Sequence, residues 1–179
     1  MALTTHIALL RGVNVGGRKA VPMAALRDFA AELGLTHPRT LLQSGNLIFQ
    51  SDAAPVELEA RLEAEAERRL GLATQFMVRT AAEWHAVIAA NPFPQAAERD
   101  PSHLVVMALK GAPEPAAVEG LSAAIPGREA LAAHGRELYI VYPDGIGDSR
   151  LTNAFIERRV SLAGTARNWN TARKLAEMT

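Results

Sequence analysis

The chain has 179 residues, 49% of them hydrophobic, with 19 basic side chains against 19 acidic ones and no cysteine. A chain of this length buries roughly 70% of its unfolded surface, enough for one domain or two small ones to fold unaided. The absence of cysteine excludes a disulfide framework, thiol catalysis and a cysteine zinc site, and the even charge excludes a polyelectrolyte binder: residues 1–90 carry nine basic and nine acidic side chains, and 91–179 carry ten of each.

The start, Met1-Ala2-Leu3-Thr4-Thr5-His6, has no basic region, and Arg11 ends the apolar run too early for a signal peptide or a membrane span. A cytoplasmic location with no membrane partner is the expectation. Residues 7–10 form a short continuous apolar run that reads as a buried central strand. Pro22 and Gly34 bracket a helix over 22–33, with Met23, Leu26, Phe29, Ala30 and Leu33 at helical spacing. Strands follow at 40–43 and 47–50, joined through the tight-turn signal Ser44-Gly45-Asn46. A charged amphipathic helix over 55–70 is closed by Gly71, and its glutamates read as a solvated face. A fourth strand covers 74–78, and Thr80 with Glu83 makes a capping box for another helix.

Residues 91–101, with three prolines and no periodicity, read as a connector between a subdomain at 1–90 and another at 102–179. Beyond it the pattern restarts: His103-Leu104-Val105-Val106-Met107-Ala108-Leu109-Lys110-Gly111 echoes His6-Ile7-Ala8-Leu9-Leu10-Arg11-Gly12. A helix over 115–124, strands at 129–133 and 137–142 about His134-Gly135-Arg136, a helix over 151–160, a strand at 163–167 and a closing helix over 169–178 complete it. His6 and His103 read as strand edges, and Asp148 or Ser149 as the cap of the 151–160 helix. The order βαββαβ with right-handed crossovers predicts an α+β fold, the ferredoxin-like plait, in two tandem plait-like subdomains each with an extra helix. In its 4-1-3-2 strand order the loop leaving the first strand and the turn at Ser44-Gly45-Asn46 emerge at the same end of the sheet.

That adjacency defines a candidate site. Arg11, Gly12, Asn14, Gly16 and Gly17, with cations at Arg18 and Lys19, offer backbone N–H groups, an amide and positive charge suited to an anion. Ser44 and Asn46 add a hydroxyl and an amide, although Gln43-Ser44-Gly45-Asn46 is also simply a good turn. In Arg167-Asn168-Trp169-Asn170-Thr171, Asn168 reads as a helix N-cap and Trp169 as groove filling, which leaves Arg167 and Asn170 as ligand contacts. No metal or cofactor is implied: the five histidines lack ligand spacing, and Asp144 and Asp148 lack the further oxygen ligands of a calcium loop.

With Leu9-Leu10-Arg11-Gly12-Val13-Asn14-Val15-Gly16-Gly17, Met23-Ala24-Ala25-Leu26-Arg27, Gln43-Ser44-Gly45-Asn46-Leu47, Asp144-Gly145-Ile146-Gly147, Leu151-Thr152 and Arg167-Asn168-Trp169-Asn170-Thr171, the chain resembles domain-of-unknown-function family 1697, uncharacterised and mostly bacterial proteins of similar length. Arg150 stands where that family has Lys, and Ala166 where a second Thr often precedes the Arg. The resemblance implies an α+β fold with a ferredoxin-like part and supplies no activity or catalytic residue.

The expected function is binding of an anionic or nucleotide-like small molecule at the polar cluster. Single-stranded RNA is a lesser variant, because the first strand has no aromatic to stack a base and the strand at 47–50 offers only Phe49. Two alternatives stand beside it. One is a small enzyme of phosphoryl or acyl transfer, for which the motifs hold no His, Asp or Glu as general base; the other is an interaction module whose motifs are structural.

Overall fold

The computed structural model describes residues 2–15, 17 and 19–179, so the candidate contact Gly16 and the cation Arg18 lie outside the described residues. The elements are β1 (Thr4–Leu10), α1 (Met23–Glu32), β2 (Thr36–Thr40), β3 (Asn46–Ser51), α2 (Pro55–Leu70), β4 (Phe76–Thr80) and α3 (Ala81–Ala89). They continue as α4 (Pro94–Arg99), a single 3-10 turn (Pro101–His103), β5 (Leu104–Leu109), α5 (Pro115–Ala123), β6 (Ala130–His134), β7 (Glu137–Val141), α6 (Asn153–Val160), β8 (Gly164–Asn168) and α7 (Trp169–Glu177). The chain divides into two compact units, one running to His85 and taking back Leu175–Thr179, the other Ala86–Lys174.

Each unit is a four-stranded sheet with every neighbouring pair antiparallel, in the orders β2-β3-β1-β4 and β6-β7-β5-β8. This is the predicted plait order, twice, in a mixed α+β fold. In the first unit Ala8 and Leu10 of β1, Leu47 and Phe49 of β3, and Phe76 and Val78 of β4 share one core with both helices. The period of two along each strand meets Met23, Leu26, Phe29 and Ala30 of α1 and Leu58, Leu62 and Ala66 of α2. In the second unit Val105, Met107 and Leu109 of β5 pack with Leu138 and Ile140 of β7, Leu121 of α5, and Ile156 and Val160 of α6.

Pro55 begins α2 and Gly71 ends it in the left-handed conformation, as predicted. The glutamates of this helix are not all solvated. Glu59 Oε1 accepts the Val78 N–H at 2.9 Å, and Glu63 Oε1 accepts the Phe76 N–H at 3.0 Å. Four helical residues rise about 6 Å and two strand residues about 6.7 Å, so an i,i+4 carboxylate pair matches alternate N–H groups on the free edge of β4. Glu59 also lies 3.8 Å from buried Arg79. In the second unit Glu157 of α6 accepts from Gly164 N of edge strand β8 at 3.4 Å.

Other local expectations need correction. The apolar pair Leu41-Leu42 suggested a strand over 40–43, but β2 lies earlier, at Thr36–Thr40, and Leu42 is exposed with φ of 58°. Pro38 is tolerated there because β2 is an edge strand, interrupted by a register shift between Thr36 and Arg39. Within 91–101, α4 forms with Pro94 in its first turn. Thr152, not Asp148 or Ser149, caps α6, its Oγ1 accepting from Phe155 N at 3.1 Å. His6 is no strand edge: it is buried in central β1 and stacked on Phe49 at 5.6 Å between ring centroids.

Candidate ligand-binding site

The antiparallel β1–β3 register places Leu9 opposite Asn46, so the loop after β1 and the turn before β3 meet. Leu10 N donates to Gly45 O at 2.9 Å, while Arg11 N donates to Gln75 O at 3.0 Å and Thr74 Oγ1 donates to Arg11 O at 2.5 Å. The backbone of Arg11 is thereby held against the entry to β4.

Asn14 sits at φ of 55° and closes the loop on itself. Its Oδ1 accepts from Val21 N at 2.7 Å, and its Nδ2 donates to Val21 O at 3.0 Å and to Gln43 O at 2.6 Å. One amide thus joins the two predicted motifs. Asn46 is fully buried and donates from Nδ2 to Leu41 O at 2.8 Å and to Ser44 Oγ at 2.9 Å, so it shapes the turn from within. Both amides are committed to the fold, which an unassisted reading of residue types does not reveal.

Side chains that face open space belong to other positions. Arg11 and Lys19 line a cleft of about 580 Å³ with Glu63 and Glu67 of α2 and with Thr74 and Gln75. Among the described residues the Lys19 ammonium and the Glu67 carboxylate have no ion-pair or hydrogen-bond partner. The signal for the two glutamates was present as the i,i+4 spacing of Glu59, Glu63 and Glu67 on α2, but only the topology says which carboxylates turn toward the β1 loop.

Arg167 and Asn170 lie in the second unit. Arg167 is buried, its Nη1 donating to Thr165 Oγ1 at 2.7 Å and to Ala166 O at 2.9 Å, and burial lowers its pKa to about 10, so the guanidinium stays charged at neutral pH. Asn168 caps α7 as predicted, accepting from Thr171 N at 3.0 Å, with Trp169 buried and Asn170 exposed. Phe49 is fully buried, which removes the aromatic that base stacking on β3 required. No group of three or more metal-ligating side chains occurs among the described residues, and no helix there is long and apolar enough to cross a membrane.

The model of the family described as Protein of unknown function (DUF1697) matches residues 3–139. The chain belongs to that family. This DUF1697 protein is similar to the solved structure of the conserved bacterial protein SP0830 from Streptococcus pneumoniae, with 22% identity, a TM-score of 0.78 and 99% of each chain covered. At that identity the likeness shows the fold alone. No curated protein matches this DUF1697 chain.

Proposed function

We propose that the protein binds a small anionic, nucleotide-like molecule in the cleft between the β1 loop and α2. The observation that carries this reading is the convergence of Arg11 and Lys19 on one open cleft of about 580 Å³ that also holds Glu63 and Glu67. A nucleotide has both complements: a phosphate for the cations and hydroxyl or amino donors for the carboxylates. Positive φ at Gly12, Asn14, Gly17 and Lys19 curls the loop backbone in the manner of anion-binding nests. Asn14, Ser44 and Asn46 act here by holding that loop in shape, and Arg167 and Asn170 stand outside the contact set.

The test is a melting experiment with adenosine monophosphate, inorganic phosphate and adenosine as separate probes. The nucleotide is expected to raise Tm, by mass action up to about 2.7 kcal/mol at a hundredfold excess over its Kd, and added salt should weaken the response. Adenosine alone should do little, and Lys19→Gln, which removes the charge and keeps a polar side chain, should abolish most of the rise. An unchanged rise in Lys19→Gln, or no rise with any probe, overturns the reading.

One observation favours the interaction-module alternative: Val15 and Leu42, flanking the Asn14–Gln43 tie, are 63% and 59% exposed. A Val15→Ser, Leu42→Ser variant that dissociates an oligomer seen by light scattering would favour that alternative.

A further inference from the structure

Each plait ends in two edge strands, and an edge strand presents backbone N–H and C=O groups that can pair with another chain. Three of these edges are blunted. On β4 the outward N–H groups of Phe76 and Val78 are taken by Glu63 and Glu59, and Val78 O accepts from Arg79 Nη1 at 3.1 Å. On β8 Gly164 N is taken by Glu157, and Ala166 O accepts from Arg167 Nη1 at 2.9 Å. On β2 the devices are Pro38 and a register shift.

The fourth edge, β6, has no such device. Arg136 O accepts from Leu109 N and Tyr142 N donates to His103 O, so the even-numbered residues of β7 bond β5. The odd-numbered ones, Glu137, Tyr139 and Val141, therefore bond His134, Ala132 and Ala130 of β6. This turns the N–H and C=O of Leu131 and Ala133 away from the sheet, and neither residue has a hydrogen-bond partner there among the described residues. The strand carries no proline, lysine or carboxylate to repel a partner. Leu131 packs against the second core yet stays only half-buried.

The sequence of β6 says what fits this edge. Two copies of the strand, antiparallel about a twofold axis at Ala132, set Leu131 against the second copy's Ala133 on the helix face and Ala130 against its His134 on the other. Each larger side chain thus meets a methyl group, and Ala132 meets itself. An unrelated extended peptide draws its specificity from side-chain pockets, whereas this edge offers three methyl groups, one leucine and one imidazole.

We propose that the chain forms a homodimer through β6, in which Leu131 and Ala133 exchange N–H···O bonds with Ala133 and Leu131 of a second copy and two four-stranded sheets become one. With the other edges blunted, the pairing closes at two copies. It does not depend on the cleft lined by Arg11 and Lys19.

The experiment combines sedimentation velocity over a concentration series with residue-resolved amide hydrogen exchange on the full chain. A strand of 5 residues a side makes a small contact, so the dimer should be weak and grow with concentration. The N–H groups of Leu131 and Ala133 should gain protection as it forms, while that of Val78 on β4 should not. Ala133→Pro removes an outward N–H, which an edge strand tolerates. By symmetry it deletes two intermolecular bonds, so the dimer Kd should rise about tenfold or more with Tm unchanged in dilute solution. Ala133→Lys, at an exposed side chain, sets an ammonium against Leu131 of the second copy and should weaken the dimer likewise; it decides the matter should Ala133→Pro not fold. A monomer at every concentration, an unaltered Kd in Ala133→Lys, or a dimer dissociated by Val15→Ser, Leu42→Ser instead overturns the proposal.

Discussion

At Gly45 the backbone runs at φ of 82°, and a Cβ there would lie 2.5 Å from a Val13 methyl carbon and 2.8 Å from Leu10 Cβ. Left-handed strain costs about 1–2 kcal/mol for an L-residue, and overpacking a filled site a further ~1–3 kcal/mol. Gly45→Ala is therefore expected to destabilise by about 2–5 kcal/mol, seen as a lower urea midpoint at unchanged m-value. Asn14→Ala removes three hydrogen bonds and should cost roughly 1–3 kcal/mol. Asn14→Asp should be nearly as damaging, because it keeps the acceptor for Val21 N and loses both donations. His6 adds a pH signature. Burial lowers its pKa below 6.5, outweighing the Thr4 carbonyl and Glu83, which raise it. The unfolded chain then takes up the proton first, so this stability is complete above about pH 6.5 and falls as the pH drops toward the folded value. Urea midpoints between about pH 7 and 5 should show that slope, and His6→Gln should flatten it.

The element in which sequence and structure diverge most usefully is α2. Its bounds, its Pro55 start and its Gly71 stop were legible, because capping and a 3.6-residue period are written in neighbouring residues; so was the Thr80–Glu83 box, with Glu83 N to Thr80 Oγ1 at 3.1 Å and Thr80 N to Glu83 Oε2 at 2.8 Å. The part played by Glu59 and Glu63 was not legible, since it requires knowing which strand lies at the sheet edge beside the helix. β2 was misplaced for a related reason: local apolarity at Leu41-Leu42 carries no record of the turn that Asn46 imposes by drawing in Leu41 O. Glu59→Ala is expected to cost about 3 kcal/mol, because it removes a buried carboxylate that both faces Arg79 and accepts from Val78 N. Combined with Glu63→Ala it uncovers the N–H groups of Val78 and Phe76, and light scattering should then detect association through the β4 edge. On the outer face of α2, Arg68 and Arg69 hydrogen-bond Glu65 and hold its pKa near 2. Its contribution is present above the ordinary value of 4.5 and is lost as the pH falls toward 2, and salt should shrink it. Glu65→Gln should therefore flatten the acid limb of the helix's stability at low salt.

For the whole molecule, two plaits of identical strand order answer to the echo between the two halves of the sequence, and the whole-chain likeness to SP0830 supports the same architecture. Adjacency of the first two polar motifs followed from topology alone. What could not be read was which polar atoms the fold itself consumes, because an Asn that ties a loop and an Asn that faces a ligand look alike in sequence. The cleft cations, at Arg11 and Lys19, were named among the candidates; their carboxylate neighbours emerged only with the helix in place.

The first unit is not continuous in the chain, since Leu175–Thr179 return to it after the second unit is complete. Leu175 is fully buried there, Met178 O accepts from Arg39 Nη2 at 2.5 Å, and Thr179 Oγ1 lies 2.9 Å from His85 Nε2. On the ribosome, at about 5–20 residues per second, those residues emerge on the order of ten seconds after β4. All four strands of the first plait can pair during that interval, yet its finished surface waits for residues 175–179. A released chain truncated after Lys174 should thus yield a protease-resistant second plait and a first one that is still open to cleavage near Arg39.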